Sequence, residues 1–75
     1  MFNRILRDTR MKRKITQQRL ADAIDVSLRS YQKYEQGTRE PDLAMLVKLA
    51  DALEVPTDYL LGRDISILKS FDGFQ

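Results

Sequence analysis

Residues 16–37 read TQQRLADAIDVSLRSYQKYEQG, two helical repeats with almost nothing between them. Leu20, Ala21 and Ile24 stand at the i, i+1, i+4 spacing of one helical face. Tyr31 and Tyr34 continue the period, with Ser27 placed to cap a new helix and Gly37 placed to end it. Only Asp25 and Val26 separate Ile24 from that cap, which leaves room for a sharp turn and nothing more. Two short helices joined so closely cross at a steep angle, the geometry of a helix-turn-helix. Ala21 suits the crossing, because a larger side chain there would push the second helix away.

The whole chain has 75 residues, enough for one domain that buries only about 60–65% of its unfolded surface. Cysteine and histidine are absent, which removes disulfides, thiolate metal sites and the commonest general base. No apolar run approaches the length of a membrane span and no signal-peptide pattern opens the chain. A soluble, cytoplasmic protein is expected. The net charge of +2 hides a strong asymmetry. Residues 1–39 carry ten Lys or Arg against four Asp or Glu, a balance of +6, whereas residues 40–75 carry three against seven, a balance of −4. The positive half, which contains the helix-turn-helix, suits a polyanion.

Along the chain, Asn3 is placed to cap a first helix through about Arg13, with Phe2 and Leu6 inward. Thr16 caps a second helix from Gln17 to Ile24, and Ser27 caps a third from Leu28 to Gln36. Gly37 to Pro41 reads as a loop. Asp42 caps a fourth helix, in which Leu43, Leu46, Val47, Ala50 and Leu53 recur at three- and four-residue steps. Pro56 opens a short fifth helix through Leu61, closed by Gly62, and Leu60 is expected to close the core. These segments make residues 1–62 a helix-turn-helix domain. Residues 63–75 form an apolar tail with Ile65, Ile67, Leu68, Phe71 and Phe74. That tail could be a short sixth helix, a dimer contact or a linker.

Thr16-Gln17, Leu20-Ala21, Tyr31, Glu35-x-Gly37, Pro41 and the run from Leu43 to Val55, followed by Tyr59-Leu60-Leu61-Gly62, together resemble the phage-repressor-like (Cro/C1, or XRE) helix-turn-helix family. The resemblance covers about Leu6 to Gly62 without gaps. It implies an all-α, compact five-helix, lambda-repressor-like DNA-binding domain with the motif on helices 2 and 3. It also implies that Arg10 and Glu35 form a structural pair. Three positions depart from the family pattern. Asp25 replaces the usual turn glycine, Tyr31 the usual Ile or Val, and Lys14 the glycine common after the first helix. Asp tolerates left-handed backbone, and the Tyr31 hydroxyl needs a partner.

At about 100° per residue, Tyr31, Tyr34 and Ser27 share the inward side of the third helix. Arg29, Gln32, Lys33 and Gln36 then point outward, and Leu28 sits at the exposed first turn. Leu28, Arg29, Gln32 and Lys33 are the expected base readers, since Arg and Lys donate to guanine, Gln pairs with adenine and Leu meets a thymine methyl. Phosphate contacts are expected from Lys14, Gln17, Gln18, Ser27, Gln36 and Arg39. Free N–H groups at the start of the second helix and at Gly37 and Thr38 should add to them.

A repressor-type transcriptional regulator binding a palindromic operator in double-stranded DNA as a homodimer is therefore expected. The dimer contact falls to Pro56, Tyr59, Leu61, Ile65 and Leu68. No catalysis, cofactor, metal, membrane or small-molecule ligand is expected. The rival reading, a protein-interaction module that has lost DNA binding, predicts acidic or apolar residues where Arg29, Gln32 and Lys33 stand.

Overall fold

Three short polar side chains start three helices, each by accepting a backbone N–H that no carbonyl can reach. Thr16 Oγ1 accepts from Arg19 N at 3.1 Å, Ser27 Oγ from Ser30 N at 3.1 Å and Asp42 Oδ1 from Met45 N at 2.8 Å. In the computed structural model, which describes residues 2–62, the chain forms α1 (Phe2–Lys12), α2 (Gln17–Ala23), α3 (Leu28–Gln36), α4 (Leu43–Leu53) and α5 (Thr57–Leu60). All regular structure among the described residues is helical, the expected five-helix architecture. The sixth-helix expectation falls on residues 63–75 and lies outside the described residues.

The helix ends follow one pattern. At each of the first four, one residue enters the left-handed region and its N–H returns to the carbonyl three residues back. The next residue's N–H returns to the carbonyl five back. The pairs are Lys14 to Met11 with Ile15 to Arg10, Asp25 to Asp22 with Val26 to Ala21, Gly37 to Tyr34 with Thr38 to Lys33, and Glu54 to Asp51 with Val55 to Ala50. This is the Schellman closure, which satisfies carbonyls that the helix leaves open. Only Gly37, at φ 81°, is a glycine; Lys14, Asp25 and Glu54 take φ of 59°, 65° and 59° with a side chain present. The Asp25 turn thus bends as the helix-turn-helix requires.

The core is Leu6 from α1, Leu20, Ala21 and Ile24 from α2 and its end, Tyr31 and Tyr34 from α3, Leu46, Leu49, Ala50 and Leu53 from α4, and Leu60 from α5. Phe2 and Ile5 pack against it from the side. In this arrangement α3 packs on α1 and α2, while α4 packs on α2 and α5, and α5 returns to α1. Leu60 is fully buried, closing the core.

Three expectations need correction. Asn3 lies inside α1 and does not cap it; its Nδ2 donates to the Glu35 carbonyl at 3.3 Å. Leu43 is 75% exposed and Val47 41%. The seam of α4 runs through Leu46, Leu49, Ala50 and Leu53 instead. Val47 lies about 100° round the helix from Leu46, off the arc that α2 and α5 cover, and Leu43 sits in the first turn at the edge of that arc. Ser27, placed inward by its angle, is exposed, because a residue that caps a helix stands before its first regular turn.

Candidate nucleic-acid interface

The Glu35 carboxylate, in the last turn of α3, gathers donors from three parts of the chain. Arg10 Nε donates to Glu35 Oε2 at 2.6 Å, and Arg10 Nη2 reaches Oε1 at 3.4 Å. The Tyr31 hydroxyl donates to Oε2 as well. Gln17 Nε2, from the first turn of α2, donates to Oε1 at 2.9 Å. Arg10 also donates through Nη1 to the Ile15 carbonyl at 2.8 Å, so one guanidinium staples α1, the α1–α2 turn and α3. The two charged side chains are only 13% and 6% exposed, hence little screened by water. Burial alone would raise the Glu35 carboxyl, but the hydrogen bonds from Arg10, Tyr31 and Gln17 outweigh it and hold the group below its ordinary range. Arg10 is raised, chiefly by its hydrogen bond to Glu35. Burial, with Glu35 as acceptor, pushes the Tyr31 hydroxyl well above its ordinary range, so it remains a donor at neutral pH. The cluster is therefore an ionised, filled acceptor site.

The outer side of α3 is cationic. Arg29, Lys33 and Gln36 are exposed, and Leu28, Ser30 and Gln32 are half-buried. Gln32 is not free: its Nε2 donates to Gln17 Oε1 at 3.2 Å, which joins it to the Glu35 cluster. Ser27 Oγ donates to Ser30 Oγ at 3.1 Å while capping the helix. Beyond the helix, the Arg39 guanidinium stands 5.8 Å from the centre of the Tyr34 ring, a cation–π distance.

The flanking residues occupy varied settings. Lys14 is exposed at the α1–α2 turn and Gln18 on α2, where Gln18 Nε2 donates to Asp22 Oδ1 at 2.9 Å. The backbone N–H groups expected to be open at Gly37 and Thr38 are taken. Gly37 N donates to Tyr34 O at 3.3 Å and Thr38 N to Lys33 O at 3.1 Å, with Thr38 Oγ1 adding a contact to the same Lys33 carbonyl at 3.4 Å. Closing α3 uses those groups, which leaves only the side chains of Gln36, Thr38 and Arg39 for any outside contact at this end of the helix. At the start of the seven-residue α2, Thr16 already fills the Arg19 N–H, and the Gln17 and Gln18 amides donate to Glu35 and Asp22.

Of the expected dimer residues, Pro56 and Leu61 are exposed, Leu61 by 50%, and Tyr59 is half-buried. Ile65 and Leu68 lie outside the described residues. The linkage of Gln17 and Gln32 to Glu35, and that of Asn3 to the Glu35 carbonyl, left no trace in the sequence pattern. Both join residues of different helices, and periodicity reports only on residues of one helix.

Among the described residues no group of His, Cys, Asp or Glu is placed to hold a metal ion, and no helix is long and apolar enough to cross a membrane. Residues 6–60 match the helix-turn-helix family of transcriptional regulators. The uncharacterized HTH-type transcriptional regulator YqaE of Bacillus subtilis is 41% identical over 61 residues, covering 81% of this chain and 53% of its own length. The cryptic phage CTXphi transcriptional repressor RstR of Vibrio cholerae is 54% identical over 48 residues, covering 64% of this chain and 43% of its own. The HTH-type transcriptional regulator ImmR of Bacillus subtilis is 37% identical over 59 residues, covering 79% and 46%. The chain thus spans about half the length of the curated relatives it matches.

Proposed function

The chain belongs to the helix-turn-helix family of the phage-repressor (XRE) type, which it matches over residues 6–60, and from that premise we propose that it represses transcription by binding a palindromic operator in double-stranded DNA as a homodimer. The observation that carries this reading is the outer face of α3. It presents exposed Arg29 and Lys33 on a helix whose opposite face is anchored by two buried tyrosines and whose end is fixed through Glu35. A rigid helix of this kind fits the major groove, where Arg29 and Lys33 donate to guanine O6 and N7, Leu28 meets a thymine methyl and Gln32 pairs with adenine. Lys14, Gln17, Gln18, Ser27, Gln36, Thr38 and Arg39 flank the helix and fix its register on phosphates. The family is one of DNA-binding regulators and not an enzyme class, and no catalytic step is proposed.

Two copies are needed because one reading helix makes too few phosphate contacts to hold an operator at physiological salt. In a two-fold dimer the reading helices enter successive major grooves about 34 Å apart. Pro56, Tyr59, Leu61 and the apolar tail that includes Ile65 and Leu68 form the dimer contact. Binding-site selection from random duplexes with the purified protein tests the reading. Enrichment of an inverted repeat with half-sites about ten base pairs apart supports it, and recovery of duplexes with no common sequence overturns it.

A further inference from the structure

Glu35 accepts hydrogen bonds and cannot donate them once ionised, and this has consequences for Gln17 and, through it, for Gln32. Its Oε2 already holds Arg10 Nε and the Tyr31 hydroxyl, which leaves Oε1 turned toward Gln17. Gln17 must then offer its amide N–H to the carboxylate, so its carbonyl oxygen faces the other way. Gln32 meets that oxygen and must donate to it, as it does at 3.2 Å. The Gln32 carbonyl oxygen is accordingly turned away from Gln17, and among the described residues nothing donates to it. Each amide orientation follows from the acceptor-only character of the group before it. Gln32 itself is half-buried on the side of α3 that carries exposed Arg29 and Lys33.

We infer that Tyr31 is a positioning residue for base recognition: its hydroxyl holds the Glu35 carboxylate so that Gln17 and Gln32 are oriented in series and Gln32 presents a fixed carbonyl acceptor, with its second N–H, to an adenine. The inference rests on the reading of α3 as the groove-reading helix. Adenine displays an N6 amino donor beside the N7 acceptor, which matches this acceptor-plus-donor edge, whereas guanine displays two acceptors. The position is one where the family pattern places Ile or Val, side chains that can fill the core but cannot reach a carboxylate with a donor. The buried part of Tyr31 therefore does what an aliphatic residue would do, and the hydroxyl is free to act on Glu35.

The test compares wild type, Tyr31→Phe, Gln17→Ala, Gln32→Ala and the double variants with Gln32→Ala, all in the full chain. Each is measured on the selected operator, on operators substituted one base pair at a time and on random duplex. Gln32→Ala should lower the preference for adenine at one position per half-site by about tenfold. Tyr31→Phe and Gln17→Ala should each lower preference at that same position several-fold, leave preference at other positions unchanged, and cause no further loss of preference in the Gln32→Ala background. Tyr31→Phe should also leave random-duplex affinity unchanged, whereas Gln17→Ala adds the loss of its phosphate contact on every duplex alike. Gln17→Ala leaves the core untouched, so its result stands even where Tyr31→Phe melts early. Equal losses on all duplexes, or preference effects that add to those of Gln32→Ala, overturn the inference while leaving the DNA-binding reading in place. A wild-type protein with no preference among duplexes overturns the functional reading itself.

Discussion

The Glu35 carboxylate joins α1, α2 and α3 through Arg10, Gln17 and Tyr31. Replacing it with Ala leaves the Arg10 guanidinium and the Tyr31 hydroxyl buried without their acceptor, a loss of about 3 kcal/mol for breaking a mostly buried pair. Glu35→Ala should therefore melt well below wild type, and calorimetry or thermal circular dichroism reads this directly; an unchanged melting temperature would show the pair to be idle. The pH dependence follows from the direction of the shift. The folded carboxyl lies below its ordinary value near 4.5, so its contribution is fully present above that value and is lost as pH falls through the lower, folded one. Melting temperature should thus drop on acidification below about pH 4.5, and Glu35→Gln should lack that part of the drop. Arg29 and Lys33 belong to the other side of the helix and make no contribution to the core. Arg29→Ala and Lys33→Ala should leave melting within about 0.5 kcal/mol of wild type. Each should relax preference at one or two operator positions, with a loss of about 1–3 kcal/mol on the preferred sequence. Equal loss on operator and random duplex would make them phosphate contacts.

Each of α2 to α4 starts on a side-chain cap and each of α1 to α4 ends on a left-handed closure, and the two kinds of device differ in quality. The caps at Thr16, Ser27 and Asp42 use residue types suited to the task. Three of the four left-handed closures do not, since Lys14, Asp25 and Glu54 carry a Cβ where glycine is free of strain. Removing it at Glu54 should stabilise the domain by about 0.5–1 kcal/mol, because Arg13 holds the Glu54 carbonyl and not its side chain. Glu54→Gly should accordingly raise the melting temperature by a few degrees. Lys14→Gly should raise stability in the same way but weaken DNA binding and flatten its salt dependence by about one counterion, if Lys14 meets a phosphate. A substitution that stabilises without changing the salt slope would remove Lys14 from the interface. Gly37 is the exception among these closures. A Cβ there would come within 3.1 Å of Asn3 Nδ2, the atom that donates to the Glu35 carbonyl.

Taken whole, the positive charge lies on residues 1–39, which include α1, α2 and α3, and the negative charge on the rest, a field that favours approach of a polyanion to the first three helices. Leu43, Val47 and Leu61 remain exposed on the acidic part. Each alone is an ordinary surface residue; the proposed dimer assigns the burial of such apolar groups, and of the apolar sequence after Gly62, to a second copy. Deleting residues 64–75 should abolish cooperative operator binding while half-site binding stays measurable, as read by titration of full and half operators. Unchanged affinity and cooperativity on the full operator would place the dimer contact elsewhere.

The five helices, the caps at Thr16, Ser27 and Asp42, the sharp turn at Asp25 and the cationic outer face of α3 were legible in the residues themselves, because each depends on neighbours within about four positions. Hydrogen-bonded turns and single-helix faces are local, and their signals survive in a linear string. Leu43 and Val47 were misjudged because their spacing fits a helical stripe, while burial depends on how far α2 and α5 extend over that stripe. Asn3 likewise has a capping side chain, but its place against the end of α3 is set by the angle between two helices. The Glu35 cluster belongs to the same class. Its donors at positions 10, 17 and 31 come from three helices, and only packing brings them to one carboxylate, whose acceptor-only chemistry then orients Gln17 and Gln32.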